Sequence, residues 1–128
     1  MITRWRKLNS LTLNPQQAVL LGLLLSVGLN ATGQIFFKAA RFAYPNLSLI
    51  SLFFHLETWV GFFIYGLSSL SWLWVLSRTQ LSFAYPVLAL TFPIVVALST
   101  FFFGETVSPV RWAGVGVIVI GVSLLART

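Results

Sequence analysis

The sequence predicts an all-α membrane protein, a bundle of four transmembrane helices. Hydrophobic residues make up 58% of the chain and charged residues only 8%, against about 25% charged in an ordinary soluble domain. Residues 81–103 carry no charge, and at ~1.5 Å per residue they are long enough to cross a ~30 Å hydrocarbon core. The apolar runs are continuous rather than alternating, so they predict helices and not a barrel.

The chain is short enough for one domain, which we place at residues 16–127 behind a basic leader at 1–15. A cleaved signal peptide is not favoured, because the apolar run resumes at once after the poor cleavage site Asn30–Gln34. Between the first two spans, apolar residues in 41–57 are spaced for a short surface helix, with a re-entrant or disordered loop as the alternative. The predicted spans are residues 16–40, 59–77, 81–103 and 109–126.

Two prolines lie within the third span and predict a bend there. Pro86 and Pro93 have no N–H to donate, so they leave carbonyls of the preceding turn without their helical partners. Ser108-Pro109 predicts the start of the fourth helix, because serine is a good N-cap and proline suits the first helical position.

The net charge of +6 fits a membrane protein and does not indicate a nucleic-acid partner. The basic residues lie in the leader and near the ends of the apolar runs, where they face anionic headgroups. Placing the N-terminus in the cytoplasm puts five bases on that side and three on the other. This difference favours a cytoplasmic N-terminus, and insertion in both directions is the alternative.

The chain offers no set of residues for catalysis. It has two acids, one histidine and no cysteine, so neither a nucleophile with its base nor a metal site can be assembled. His55 has no partner acid nearby, and Glu57 suits the positive end of the second span. We therefore expect no enzyme activity, no metal and no cofactor.

Polar residues recur at every fourth position of the first span: Ser26, Asn30, Gln34 and Lys38. This spacing places them on one helix face with a drift of ~40° per step. Ser26 and Asn30 can serve as hydrogen-bonding contacts between helices, and Lys38 can extend to the interface. Alternatively, the face is a cationic lining for an anionic head group, with Arg41 at its mouth.

Glu105 and Arg111 flank the turn before the fourth span. Glu105 is either a solvated loop acid or one member of a polar pair, and its counter-charge is then Lys38 or Arg111. In the second case the turn is a gate or a structural contact.

Gly114 and Gly121 lie seven residues apart, hence nearly on one face of the fourth span. Small residues let another helix backbone approach closely. We predict a subunit contact at these glycines, and packing within the four-helix unit is the alternative.

Four segments of the chain form a recognisable set in this order: Gly33–Ala40, Leu73–Leu76, Phe83–Leu90 and Glu105–Gly114. Together they resemble the four-helix subunits of the aminoarabinose-phosphoundecaprenol flippase, within the drug/metabolite transporter superfamily that includes EamA-type exporters and small multidrug resistance proteins. The resemblance covers residues 18–127 in order and spacing, and it implies a location in a bacterial inner membrane.

The resemblance implies a four-helix protomer that forms a homodimer or pairs with a sister subunit. It also matches Gly114 and Gly121 to the glycines of the dimer contact in small multidrug transporters. Those transporters carry an acid in the first helix that binds cations and exchanges protons. This chain has no acid there and has Lys38 instead, which suits an anionic substrate.

The leading hypothesis is therefore a flippase subunit for a polyprenyl-phosphate-linked sugar, with this membrane lipid as its substrate. Lys38 and Arg41 would hold the phosphate, while Asn30, Gln34 and Tyr85 would offer hydrogen bonds. Two alternatives are a small-solute or multidrug exporter of the same superfamily and a non-transporting accessory subunit of a lipid glycosyltransferase complex.

Overall fold

The computed structural model describes residues 14–128, and this part of the chain has four helices long and apolar enough to cross a membrane. The predicted four-helix fold is confirmed. Most of the predicted basic leader, residues 1–13, lies outside the described range. The helices are α1 (Pro15–Ala43), α2 (Leu49–Leu52), α3 (Leu56–Leu76), α4 (Leu81–Leu88), α5 (Thr91–Phe103) and α6 (Pro109–Ala126).

The helix starts follow from local side-chain chemistry. Asn14 accepts a hydrogen bond from the Gln17 amide at 2.7 Å, and the Gln17 side chain accepts one from the Asn14 amide at 3.3 Å. This reciprocal cap begins α1. The Ser108 hydroxyl accepts from the Arg111 amide at 3.2 Å, with Pro109 at the first position of α6. The start predicted for the fourth span is confirmed.

The third span is interrupted between α4 and α5, at Ala89 and Leu90. Pro93 has no N–H to donate to the Ala89 carbonyl four residues earlier, and its ring crowds that carbonyl. The amides at the interruption bond three residues back instead of four: Ala89 donates to the Pro86 carbonyl and Leu90 to the Val87 carbonyl, each at 3.0 Å. The interruption therefore lies between the two prolines that predicted a bend in this span.

The helices α1 and α3 pack closely because glycines lie where they meet. A Cβ added to Gly33 would lie 3.3 Å from the Gly61 carbonyl oxygen, and one added to Gly61 would lie 2.8 Å from Cδ1 of Phe37. A Cβ on Gly22 would lie 2.7 Å from the Trp74 ring. Larger residues here would force the two helices apart.

Hydrogen bonds between serines and backbone carbonyls also join α1 to α3. The buried Ser26 hydroxyl donates to the Ser71 hydroxyl oxygen at 2.8 Å, and the Ser71 hydroxyl donates in turn to the Gly22 carbonyl at 3.1 Å. Ser68 donates to the Ser26 carbonyl at 2.9 Å. The interpretation of Ser26 as a polar contact between helices is confirmed.

The segment between α1 and α3 is held by polar and aromatic contacts. Its one-turn helix α2 confirms the predicted short helix. The Arg41 Nη1 donates to the Leu47 carbonyl at 2.5 Å, and the Tyr44 and His55 rings stack with centroids 3.8 Å apart. Arg41 thus fixes the path of this segment at the end of α1.

The helix α6 is the least covered of the membrane-spanning helices. Val122 is its one buried residue, and it joins the apolar core formed by Leu23, Val75, Ala84 and Val87. The rest of α6 packs only partly against α4 and α5. One long face of this helix is therefore open within the described residues.

Candidate functional site

A polar cavity of about 270 Å³ lies where the last third of α1 faces α5 and the start of α6. It sits at the same end of the bundle as the segment that joins α1 to α3. Apolar side chains form most of its wall, and five polar or charged residues face into it. The lining residues are Gln34, Ile35, Lys38, Val95, Val96, Ser99, Phe103, Glu105, Val107 and Arg111.

An ion pair crosses this cavity from α1 to the turn before α6. The Lys38 Nζ lies 3.5 Å from Oε1 of Glu105, and the two side chains are 50% and 41% exposed. Of the two counter-charges predicted for Glu105, Lys38 is the one within ion-pair distance in the described part of the chain. Arg111 lines the same cavity. Two cations and one acid therefore share this cavity, which leaves it one positive charge in excess.

The backbone around Glu105 explains how the acid reaches α1. Gly104 ends α5 with φ of 63°, a left-handed conformation that favours glycine. The Glu105 amide then donates back to the Ser99 carbonyl at 3.5 Å. The chain turns sharply here, so the carboxylate folds back over the cavity beside Lys38.

The polar side chains of α1 point towards different helices because the face that they share turns gradually around the helix axis. Each four-residue step rotates the side chain by ~40° around the helix. Ser26 faces α3, whereas Gln34 and Lys38, two and three steps later, line the cavity against α5. Asn30 lies between these two directions, is half-buried, and does not line the cavity.

Four of the predicted site residues meet in the cavity: Gln34, Lys38, Glu105 and Arg111. Three do not. Besides Asn30, Arg41 is bonded to the Leu47 carbonyl, and Tyr85 is 64% exposed on α4 with its ring edge against Trp72, 6.3 Å between centroids. The structure therefore gathers one amide, two cations and one acid.

Ser99 is a cavity residue that the sequence reasoning missed. It is buried in α5 and lines the cavity, and its hydroxyl donates to the Val96 carbonyl at 2.9 Å. The hydroxyl oxygen keeps its lone pairs for a ligand donor. The signal was present in the sequence, because Ser99 and Thr100 interrupt an otherwise apolar stretch of the third span.

The predicted contact glycines of α6 lie on its open side. A Cβ added to Gly114, Gly116 or Gly121 would meet no atom within 4 Å. Within residues 14–128 these glycines are therefore not used for packing inside the protomer. The contact predicted at Gly114 and Gly121 stays a prediction.

The arrangement suits binding of an ionic group rather than acid–base or metal chemistry. In the described residues no group of three His, Cys, Asp or Glu side chains could hold a metal ion. The cavity offers ammonium and guanidinium donors, which bind phosphate and carboxylate well, and one carboxylate that binds an amine.

The chain is similar to curated relatives over 47% to 84% of its length. The chain is 37% identical, over 111 residues, to a probable 4-amino-4-deoxy-L-arabinose-phosphoundecaprenol flippase subunit ArnE of Pseudomonas fluorescens, an alignment that covers 84% of this chain and 96% of the relative. It is 38% identical to the probable ArnE of Pseudomonas savastanoi over 69 residues, which is 54% of this chain and 60% of that protein. For Aeromonas hydrophila ArnE, 42% identity extends over 47% of this chain and 53% of the relative.

No protein-family model matches the chain. No solved structure matches it either.

Proposed function

Since the chain belongs to the family of 4-amino-4-deoxy-L-arabinose-phosphoundecaprenol flippase subunits, we propose that it is a subunit of an inner-membrane flippase for a polyprenyl-phosphate-linked amino sugar. The observation that carries this proposal is the cavity of Lys38, Arg111 and Glu105 at one end of four membrane-spanning helices. Its charges correspond to those of the lipid named for the relatives.

That lipid carries charges of both signs close together. Its phosphate is anionic, and the 4-amino group of the sugar is protonated at neutral pH. Lys38 and Arg111 hold the phosphate, and Glu105 accepts the sugar ammonium. Gln34 and Ser99, which line the same cavity, bond the sugar hydroxyls. The polyprenyl chain stays in the bilayer along the apolar outer surface of the bundle.

The Lys38–Glu105 pair is suited to exchange with such a ligand. Both side chains are close to half exposed, and an ion pair in that setting contributes only ~0–1 kcal/mol. A ligand with one negative and one positive group replaces each partner of the pair, so neither charge is left uncompensated. Release of the ligand restores the pair.

The same pair argues against a proton-coupled cation exporter. Such a transporter needs a membrane-buried acid that alternates between a proton and a substrate. Glu57 lies in the first turn of α3, and Glu105 lies in a turn beside Lys38. With no nucleotide-binding motif in the sequence, transport of the lipid would follow its gradient or its synthesis and consumption.

The flippase subunit assembles with a second four-helix chain through α6. Val122 is the one buried residue of this helix, and Gly114 and Gly121 have open space around them. A partner helix can approach its backbone closely there. The partner is a second copy or a sister subunit.

The charge distribution supports a cytoplasmic N-terminus. Arg78 and Arg127 lie at the Asn14 end of the described bundle, and residues 1–13 add three bases to the same terminus of the chain. The positive-inside tendency then places this end in the cytoplasm. The Lys38 cavity consequently faces the periplasm.

A reconstituted transport assay tests the proposed function. Vesicles containing the amino-sugar lipid are treated with an amine reagent that cannot cross the bilayer, so only sugar on the outer leaflet reacts. We expect the protein, alone or with its sister subunit, to make the inner pool reactive, and Lys38→Ala to abolish this. Full transport by Lys38→Ala, or none by the wild-type pair, would contradict the proposal.

A further inference from the structure

The end of the bundle opposite the Lys38 cavity contains a second, wider cleft of about 930 Å³. It lies where the start of α1, the turn between α3 and α4, and the end of α6 come together. Polar side chains from all three segments face it. The polar residues that line it include Gln16, Arg78, Gln80, Ser82 and Arg127.

The cleft has two cations and no acidic side chain. Arg78 and Arg127 line it from different segments. The sequence holds only two acids, and both lie at the other end of the bundle: Glu57 in the first turn of α3 and Glu105 beside Lys38. Residues 1–13 contain no acid. No acidic side chain of the protomer is therefore positioned to neutralise these guanidiniums.

Among residues 14–128, the Arg78 side chain forms no hydrogen bond. Its Cζ lies over the Trp74 ring, 5.0 Å from the ring centroid. The ring electrons attract the cation in this position, and the guanidinium carries five N–H donors. The ring thus fixes the side chain and leaves the donors for an anion with several oxygens, such as phosphate.

The backbone adds donors at the same place. Gln80, the N-cap of α4, makes no side-chain capping hydrogen bond, and among residues 14–128 the Leu81 and Ser82 amides donate to no backbone carbonyl, whereas the Phe83 amide donates to the Gln80 carbonyl. Gln80 and Ser82 both line the cleft. Open amides at a helix start favour an anion, which adds to the charge of the two arginines.

We propose that this cleft binds the phosphate group of a polyprenyl-phosphate lipid at the membrane face opposite the Lys38 cavity. The identity of the lipid rests on the proposed function, whereas the phosphate chemistry rests on the cleft itself. The part of α1 between Gln16 and Lys38 is about 33 Å long at the helical rise per residue, which matches a bilayer core of ~30 Å. One protomer thus holds a phosphate site for each leaflet, one for uptake and one for release.

The test counts lipids bound to the full chain. The full chain is placed in phosphatidylcholine nanodiscs. Undecaprenyl phosphate is titrated in, and native mass spectrometry reports the number bound per chain. We expect two bound lipids for the wild type and one for Arg78→Gln/Arg127→Gln, with binding to the altered cleft at least tenfold weaker.

Matched variants separate the cleft from the Lys38 cavity. Gly28→Ala lies outside both sites and adds a Cβ that meets nothing within 4 Å, and we expect it to bind two lipids. Arg78→Lys/Arg127→Lys keeps both positive charges of the cleft. Weaker but measurable binding of undecaprenyl phosphate to the cleft of this variant shows that the fold is intact. Wild-type binding by Arg78→Gln/Arg127→Gln would overturn the proposal. If Lys38→Gln/Arg111→Gln still binds two lipids while the cleft variant loses one, the cleft stands and the proposed phosphate site at Lys38 fails.

Competing ligands identify the source of the phosphate. We expect undecaprenyl phosphate to stay bound in equal amounts of phosphatidylglycerol. Complete displacement by phosphatidylglycerol would assign the cleft to ordinary anionic headgroups and overturn the polyprenyl assignment. Displacement by an equal concentration of inorganic phosphate would overturn a lipid site altogether.

Discussion

Lys38→Gln and Glu105→Gln break the same ion pair, yet we expect them to change the binding of undecaprenyl phosphate in opposite directions. This lipid has the phosphate of the proposed substrate but no amino sugar. If Lys38 binds the phosphate, its removal weakens binding. If Glu105 competes with the phosphate for Lys38, its removal strengthens binding.

The two variants should have equal and small effects on stability. The side chains are 50% and 41% exposed at a separation of 3.5 Å, so solvent screens their attraction. Pairs of this kind contribute ~0–1 kcal/mol. Thermal unfolding in detergent should therefore shift by a similar, small amount in both proteins, and neither should lose its fold.

The effects on binding should be larger and of opposite sign. A hydrogen bond to a charged group contributes about 1.5–3 kcal/mol, and each 1.4 kcal/mol corresponds to tenfold in affinity. Lys38→Gln should then weaken undecaprenyl phosphate binding at the Lys38 cavity by about 10- to 100-fold. Glu105→Gln frees the Lys38 ammonium from its ion pair. The binding free energy of undecaprenyl phosphate should then improve by at most ~1 kcal/mol, which corresponds to about fivefold tighter binding.

The assay is a titration in nanodiscs followed by native mass spectrometry, made in Arg78→Gln/Arg127→Gln so that only the Lys38 cavity is counted. The titration is then repeated with the amino-sugar lipid. Glu105→Gln should now weaken binding rather than strengthen it, because the sugar ammonium loses its carboxylate partner. Equal weakening by both variants with undecaprenyl phosphate would show that the pair is structural. Unchanged binding in Lys38→Gln would refute the phosphate contact.

Three further substitutions test the fold and the assembly. Gly61→Ala should lower the unfolding temperature in detergent, because the new Cβ would lie 2.8 Å from a phenylalanine ring, whereas Gly28→Ala, which meets nothing within 4 Å, should not. Ser108→Ala should lower the free energy of unfolding by about 1 kcal/mol, because α6 loses its N-cap. Ser123→Ala should lower it less, because the Ser123 hydroxyl donates to the Val119 carbonyl of its own helix. Unfolding midpoints measure both effects. Gly114→Leu should abolish subunit assembly in crosslinking or size-exclusion measurements, while Gly28→Leu should leave it intact.

Local chemistry made much of the fold predictable. Uncharged runs longer than a bilayer core can only be helical spans. Pro93, which cannot donate to the Ala89 carbonyl, explains the interruption of the third span, and Ser108-Pro109 predicted the start of α6. Each of these features depends on a few neighbouring residues, so the sequence was enough to find it.

The close packing of α1 on α3 was not predicted, although its signal was present. Gly22, Ser26 and Gly33 are small residues within one helix, and Gly61 is another in the second span. The evenly spaced glycines of the fourth span are the more regular pattern, and they predict a helix contact elsewhere. Which small residues meet depends on the helix pairing, and spacing in one helix does not reveal its partner.

The candidate site was predictable only in part, for a similar reason. The four-residue spacing placed Gln34 and Lys38 on one face, and the scarcity of acids left few partners for Glu105. The direction of Arg41 depends on how the following segment folds back to present the Leu47 carbonyl. Tyr85 lies on α4, ahead of the break, whereas the cavity is built on α5.

The most direct test of the flippase account is native mass spectrometry of the protein, gently extracted from its own membrane. We predict that it carries a bound polyprenyl phosphate with an amino sugar, and that Lys38→Gln reduces the amount of this lipid. A protein that retains no such lipid, yet binds small organic cations when they are added, would contradict the account.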